Sequence, residues 1–507
     1  MSRAGRARNA RDTWVPLVVL AVVTLATVWL RLRQASESLW LDELHTAWVA
    51  MGAWASIGAH SLVGNQSPVF FALEWALVHG VGASELTLRL PSIVAGGLLV
   101  VALFAMARAW TGSAWLALVP AWLAAVDPQA IYYGTEARPY ALVQLLGLLH
   151  VANFAALVRT PTRGRRILGV AGAAVLFHLH YTAALLFAGE LAWYAWMRAR
   201  GRTAYAARAI ALDAAITTLL MAPAAPALAA IFARRANWAK FVGQPEPWVA
   251  VAMLPWAASA LVGAALVAVW RRANPANAAE AEDQIHCAVC WLAVPLVIAW
   301  AATTSDVARL LWPRYMAASA PAALILLVLA LRDIPGRRLR AVAAVAVLVA
   351  GTVGSYAVRH FAATGRLLDW RADDWRDAVT WFNEHPRHAA GAVLLRSDLI
   401  ETDALGPGSD SLLESYARYP LQALYGPVVN AERLVALRRN QPDLITDSVA
   451  DVVDRSDAAW LVYNGGMTQE MRAAEAICHT LGERSGHSWA VVTTRSFGTV
   501  HVTLLGR

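Results

Sequence analysis

The stretch WVPLVVLAVVTLATVWLRLRQASESLWLDEL, running from Trp14 to Leu44, decides the fold. Residues 14–32 read as a membrane-spanning helix that ends at Arg31 and Arg33, because roughly 20 apolar residues in helical rise match the hydrocarbon thickness of a bilayer. Just beyond this span, Asp42 and Glu43 stand side by side in Leu39-Trp40-Leu41-Asp42-Glu43-Leu44. Ionisable groups at a membrane boundary are costly and usually have a task. The structural alternative is that the two acids only cap a helix.

The composition supports this reading. The chain has 507 residues, of which 58% are hydrophobic and only 15% charged, a profile outside that of soluble globular proteins. Apolar runs near 20 residues recur between arginine clusters, which defines a polytopic α-helical membrane protein. The net charge of +8 sits largely in short loops, so membrane orientation explains it and no nucleic-acid partner is expected. Lys240 is the only lysine beside 42 arginines, and with the abundant alanine this points to a GC-rich bacterial source. Cys287 and Cys290 form a C-x-x-C beside His286, but without a second ligand pair they read as small helix-packing residues. Cys478 is alone in its region. The first apolar run lacks a small-residue cleavage site and is expected to stay as a span.

Residues 1–13 are a basic tail expected in the cytoplasm. Residues 34–88 form a first extracytoplasmic loop with interfacial helices over 44–60 and 68–81. Further spans are expected near 89–107, 113–130, 137–158, 167–179, 181–197, 209–227, 248–270, 287–304, 314–331 and 341–358, about eleven crossings in all. Arg108, Arg159 to Arg166, Arg198 to Arg208, Arg271-Arg272 and Arg332 to Arg340 then all fall on the side of the N-terminus. Residues 14–360 make a transmembrane module, and 361–507 an extracytoplasmic α/β domain. In it, a helix is expected over 369–385 and strands over 391–396, 459–463, 489–495 and 498–505. Helix-compatible stretches lie at 411–418, 430–439 and 467–483. The resulting location is the bacterial inner membrane, multi-pass, with a cytoplasmic N-terminus.

Only about 31 residues separate Arg166 from Arg198, so two crossings there leave roughly 15 residues, or about 22 Å, per helix. That is less than the hydrocarbon core of about 30 Å. The turn Phe177-His178-Leu179-His180-Tyr181 is therefore expected to lie recessed in a cavity.

The polar clusters gather on the outer side: Asp42 and Glu43, the stretch Tyr132 to Tyr140, His178, His180 and Tyr181, then Arg234, Arg235 and Lys240, and finally Arg309, Arg314 and Tyr315. Basic residues are disfavoured there, and an anionic ligand supplies a reason for them, since arginine holds phosphate oxygens by charge-assisted hydrogen bonds. Each cluster has a structural alternative. Glu136 and Arg138 can pair with each other, either histidine can be a satisfied core residue, Arg234 and Arg235 can snorkel to headgroups, and Asp127-Pro128 can simply end a helix. Taken together, a carboxylate base, a basic phosphate cradle and a lipid-accessible cavity describe sugar transfer from a polyprenyl phosphate. Asp42 and Glu43 act in such a site with or without a divalent metal.

On these residues the chain resembles bacterial GT-C glycosyltransferases of the protein-mannosyltransferase and aminoarabinose-transferase type. Leu39-Trp40-Leu41-Asp42-Glu43 looks like the acidic first-loop motif of that family. Ser67-Pro68-Val69-Phe70-Phe71 and Leu88-Arg89-Leu90-Pro91-Ser92 resemble its His-Pro-Pro-Leu-Tyr and Arg-Leu-Pro-Ser pattern, with serine in place of the histidine. Tyr133-Gly134-Thr135-Glu136-Ala137-Arg138-Pro139-Tyr140 is similar to its Tyr-Ser-Gln-Glu-Ala-Arg-Pro-Tyr signature, and His180-Tyr181 and Pro313-Arg314-Tyr315 match later elements. The resemblance covers about residues 14–330. It implies a GT-C fold, a polyprenyl-phosphate sugar donor and inverting transfer on the periplasmic side to a lipid, glycan or protein acceptor. It also implies Asp42 as general base, with Glu43 assisting or positioning the acceptor or a metal. Glu136 and Arg138 would line the site, Arg314 and Arg309 would hold the donor phosphate, and Tyr140, His178, His180, Tyr181 and Tyr315 would join them in binding substrate. The alternative is a transporter or flippase of lipid-linked sugars without catalysis. The one-sided polar groups and the absence of an internal repeat in the sequence count against it.

Overall fold

The computed structural model describes residues 3–240, 246, 248–249, 253–254, 256–273, 279–369, 372–384, 391–406, 408–429, 431–439, 453 and 457–507. It shows a predominantly helical membrane protein with one small C-terminal sheet. The chain divides into two compact units. One comprises Met1–Ala35 with Arg89–Leu368, and the other Ser36–Leu88 with Asp369–Arg507. The sequence reading grouped 34–88 with the spans, whereas residues 36–88 pack against the C-terminal region.

In the first unit, Trp14–Gln34, Glu85–Thr111, Tyr140–Arg159, Ala207–Ala233, Glu280–Thr304 and Pro313–Arg332 are long and apolar enough to cross a membrane. Arg337–Gly354 and Tyr356–Thr364, bent by 52°, would form a seventh. The expected count of about eleven is therefore not confirmed among the described residues. The segment expected over 113–130 is split, because Asp127 ends one helix, Ala114–Val126, and caps the next, Pro128–Tyr133. The helices Arg163–Leu179 and Ala184–Ala199 have only 17 and 16 residues, as the arginine spacing requires. Parts of the span expected over 248–270 lie outside the described residues. Large apolar side chains such as Leu25 and Leu219 stand more than two-thirds exposed on these helices, as lipid-facing positions do.

Close helix approach depends on small residues. A Cβ added at Gly189 on Ala184–Ala199 would lie 2.6 Å from the Cys290 carbonyl oxygen on Ala279–Thr304. This matches the reading of Cys287 and Cys290 as packing residues, and Cys287 is buried on that helix. Arginines expected on the cytoplasmic side also tie helices together. Arg202 Nη1 reaches Glu282 at 2.8 Å and Asp283 at 2.9 Å, and Arg166 Nη2 reaches Asp213 at 2.6 Å.

In the second unit, five strands run in the order β2-β1-β3-β5-β4: β1 Ala392–Arg396, β2 Leu434–Ala436, β3 Ala458–Asn464, β4 Ala490–Phe497 and β5 Val500–Gly506. β1 is parallel to β2 and β3, while β5 is antiparallel to β3 and β4. Met467–Ser485 buries Ala473, Ala474, Ile477 and Leu481 with β1, β3 and β5 residues. The helix expected over 369–385 starts later, at Trp375, with Trp370 and His385 outside the described residues. The stretch 430–439, expected to be helical, instead contains β2, since Leu434, Val435 and Ala436 find parallel partners on β1.

Gly189→Ala should force the Cys290 backbone to shift, costing about 1–3 kcal/mol. Gly164→Ala, where a Cβ meets open space, should cost nothing. Thermal unfolding in detergent will show Gly189→Ala melting several degrees below both Gly164→Ala and the parent. Equal melting of all three would contradict the packing.

Candidate functional site

The stretch that begins with Tyr133 joins the end of the short helix Pro128–Tyr133 to the start of Tyr140–Arg159. Asp127 Oδ1 accepts the Ala130 amide at 2.8 Å, with Pro128 in the first turn, so the terminator reading of Asp127-Pro128 holds. Glu136 and Arg138 follow in a turn and are buried, and Tyr140 opens the helix Tyr140–Arg159. Ser92 supports this turn, while Arg89 on the same helix ties down the end of the first span. Arg89 Nη1 donates to the Ala35 carbonyl at 3.1 Å, satisfying an orphan carbonyl past the end of the first span. Ser92 Oγ donates to the Arg138 carbonyl at 2.9 Å. Arg31, fully buried, donates to the Ala130 carbonyl at 3.3 Å and fills the space left by Gly96 and Gly134.

His180 sits in the break between Arg163–Leu179 and the short turn Tyr181–Ala183, and is buried. The Thr182 hydroxyl donates to the Tyr315 carbonyl at 3.1 Å, so it accepts from His180 at 2.7 Å. This places the imidazole proton on Nδ1 and leaves Nε2 as an acceptor. Burial, followed by the Arg138 and Arg314 cations, pushes the His180 pKa down to about 3, so the ring is neutral. The Tyr140 ring lies 5.5 Å from that of His180, the Arg314 guanidinium carbon 6.0 Å from the Tyr140 ring, and Tyr315 5.9 Å from His180. The Tyr140 hydroxyl is buried and has no hydrogen-bond partner among the described residues. Two arginines, a neutral histidine acceptor and an open phenol donor form a set that can hold an anionic oxygen group beside a polar hydroxyl.

The structure thus brings together Arg138, Tyr140, His180, Arg314 and Tyr315. Three other expected residues have different surroundings. His178 Nε2 meets the Leu220 carbonyl at 3.0 Å. Tyr181 packs its ring 5.2 Å from that of Phe177. Arg309 pairs with Asp306 at 2.7 Å. The guanidinium of Arg235 lies 4.2 Å from the Phe232 ring, and the side chain of Lys240 is outside the described residues.

In the second unit, Leu41–Met51 carries Asp42, half-buried, and Glu43, fully buried. Glu43 Oε2 accepts the Trp40 amide at 3.3 Å, so Glu43 caps the start of this helix. Among the described residues no three His, Cys, Asp or Glu side chains converge as a metal site requires.

Two buried carboxyls escaped the sequence analysis. Glu74 lies in the apolar helix Pro68–Val81, 14 residues long and too short to span, and neither of its oxygens has a partner among the described residues. Burial, and then the nearby Glu43, holds its pKa well above the ordinary 4.5. Glu190 pairs with His150 Nε2 at 3.1 Å between two helices of the first unit. The signal in both cases was a lone acid in an apolar helix, which is rare without a reason.

No family model matches this chain, and neither does any curated protein. Solved structures similar to it include ArnT from Cupriavidus metallidurans bound to undecaprenyl phosphate, at 14% identity over 96% of this chain and 97% of that one, with a TM-score of 0.43. The apo state of the same protein aligns at 15% identity over 98% of both chains, also with a TM-score of 0.43. Arabinofuranosyltransferase AftD from Mycobacteria, in its R1389S mutant, aligns at 16% identity over 96% of this chain and 41% of that one, with a TM-score of 0.46. The residues of the site, and not these likenesses, carry the functional reading.

Because Glu74 has a raised folded-state pKa, the native chain holds its proton more tightly than the unfolded chain does. Its contribution is complete below about pH 4.5 and is lost as pH rises toward the folded value, by up to about 1.4 kcal/mol per pH unit. Glu74→Gln removes this dependence. Melting temperatures from pH 5 to 8 should move apart, with the variant gaining on the parent at higher pH, whereas parallel curves would contradict a protonated Glu74.

Proposed function

We propose that this protein is a membrane glycosyltransferase that moves a sugar from a polyprenyl-phosphate donor to a lipid, glycan or protein acceptor on the extracytoplasmic face of a bacterial inner membrane. The observation that carries the reading is the set of buried Arg138, half-buried Arg314, neutral His180 and the open hydroxyl of buried Tyr140. Two guanidinium groups, one buried and one half-buried, favour a phosphate more than they would in bulk water.

In the proposed reaction Asp42 takes the proton from an acceptor hydroxyl or amine as that atom bonds to the anomeric carbon of the sugar. The bond from that carbon to the phosphate oxygen breaks, configuration inverts, and polyprenyl phosphate leaves with the electron pair. Arg138 and Arg314 neutralise the charge developing on the departing phosphate. Tyr140 donates to a phosphate or sugar oxygen. His180 Nε2 accepts a sugar hydroxyl and, being neutral, adds no titration of its own near pH 7. Glu43 keeps the base-bearing helix capped, and Glu136 lines the site.

The test uses purified full-length protein, a panel of undecaprenyl-phosphate sugars and a membrane extract as the source of acceptors, with release of undecaprenyl phosphate read by mass spectrometry. With the sugar the parent accepts, Asp42→Asn should reduce release by about 10²–10⁴-fold while melting as the parent does. Release at the parent rate in Asp42→Asn would sink the assigned base.

A further inference from the structure

We infer that the C-terminal region serves the reaction through the helix that bears Asp42 and Glu43, with Asp373, Tyr419 and Tyr425 as its positioning residues. The inference rests on the assignment of Asp42 as base. The first amides of a helix have no intrahelical partner and need one from elsewhere. Here the Leu39 amide donates to the Tyr425 hydroxyl at 2.8 Å, and the Leu41 amide to Asp373 Oδ2 at 3.4 Å. The Trp40 amide between them takes Glu43. The Tyr419 hydroxyl donates to the Leu41 carbonyl at 2.8 Å. Both peptide groups of the residue preceding Asp42 are therefore engaged by side chains more than 300 positions later in the chain.

These side chains are themselves held. Asp373 accepts from Asn464 Nδ2 at 3.3 Å, at the end of β3, and from Thr499 Oγ1 at 2.5 Å, in the turn before β5. The Tyr425 hydroxyl donates a hydrogen bond to Glu85 Oε1 at 3.1 Å, and Arg376 Nη1 meets the same oxygen at 3.1 Å. On the far side of the helix start, His45 packs edge-on against Tyr416 and Phe71, with ring centroids 5.5 Å and 5.3 Å apart. The base-bearing turn is thus tied to the C-terminal region by hydrogen bonds on its amide and carbonyl sides, through Asp373 to the sheet and through Tyr419 to the short helix Tyr419–Leu421. A misplacement of about 1 Å at a reacting group can cost about 10²-fold, and a contact set of this kind limits such movement.

The experiment compares Tyr419→Phe, Asp373→Asn and Asp373→Ala with the parent and with Thr480→Ala, an exposed hydroxyl elsewhere in the region. Hydrogen exchange of the amides of residues 39–46 should quicken about fivefold or more in Tyr419→Phe and Asp373→Ala, and less in Asp373→Asn, which keeps an acceptor oxygen. Turnover of the accepted undecaprenyl-phosphate sugar should lose about tenfold in kcat in those two variants. KM for the donor should stay within about twofold, and Asp373→Asn should be partly rescued. Unchanged exchange would overturn the inference, as would faster exchange with an unchanged kcat. If the parent turns over no donor, the glycosyltransferase reading fails, and the exchange arm alone decides whether these side chains hold the helix.

Discussion

The site in the first unit depends on how the backbone of Pro313–Ser319 is satisfied inside an apolar bundle. This segment is a 3₁₀ stretch and not a regular α-helix, so its own hydrogen bonds are poorer and its carbonyls gain from further partners that lipid cannot supply. The Tyr315 carbonyl takes the Thr182 hydroxyl, and the Ala318 carbonyl takes the Trp291 indole at 2.9 Å. Gly147 lets the segment approach Tyr140–Arg159, since a Cβ there would lie 2.9 Å from the Ala318 oxygen. That approach brings Arg314 to the ring of Tyr140, and the Thr182 bond fixes the tautomer of His180. One set of hydrogen bonds therefore satisfies a broken helix and orients the polar groups beside it.

Much of this was legible in the sequence because polar residues in apolar surroundings are conspicuous. Arg138, Tyr140, His180, Arg314 and Tyr315 were chosen as interruptions in apolar runs, and the structure gathers them. The short helix pair on either side of His180 followed from arginine spacing and helical rise alone. The strands at Ala392, Ala458, Ala490 and Val500 were visible as β-rich runs in a polar region, and all four pair in one sheet.

What stayed hidden depends on tertiary partners. Leu434–Ala436 is a strand only because β1 lies beside it, and nothing local in 430–439 announces that. Asp127 was correctly read as a terminator, but the expected span over 113–130 ran through it, and the backbone obeys the cap. Arg202 and Arg166 were assigned to membrane orientation, yet each also holds a carboxylate on another helix. The packing of residues 36–88 with the C-terminal region could not be read from a chain in which the two are separated by 280 residues.

The most direct measurement is binding of undecaprenyl monophosphate to purified parent protein, Arg138→Ala and Arg314→Ala at two salt concentrations. A phosphate held by the two arginines should bind the parent specifically, weaken by about tenfold or more in either variant, and lose less affinity with salt than at an exposed pair, because Arg138 is buried and Arg314 half-buried. Equal binding by all three proteins would assign these arginines to structure alone, and no binding by the parent would contradict the lipid-phosphate donor itself.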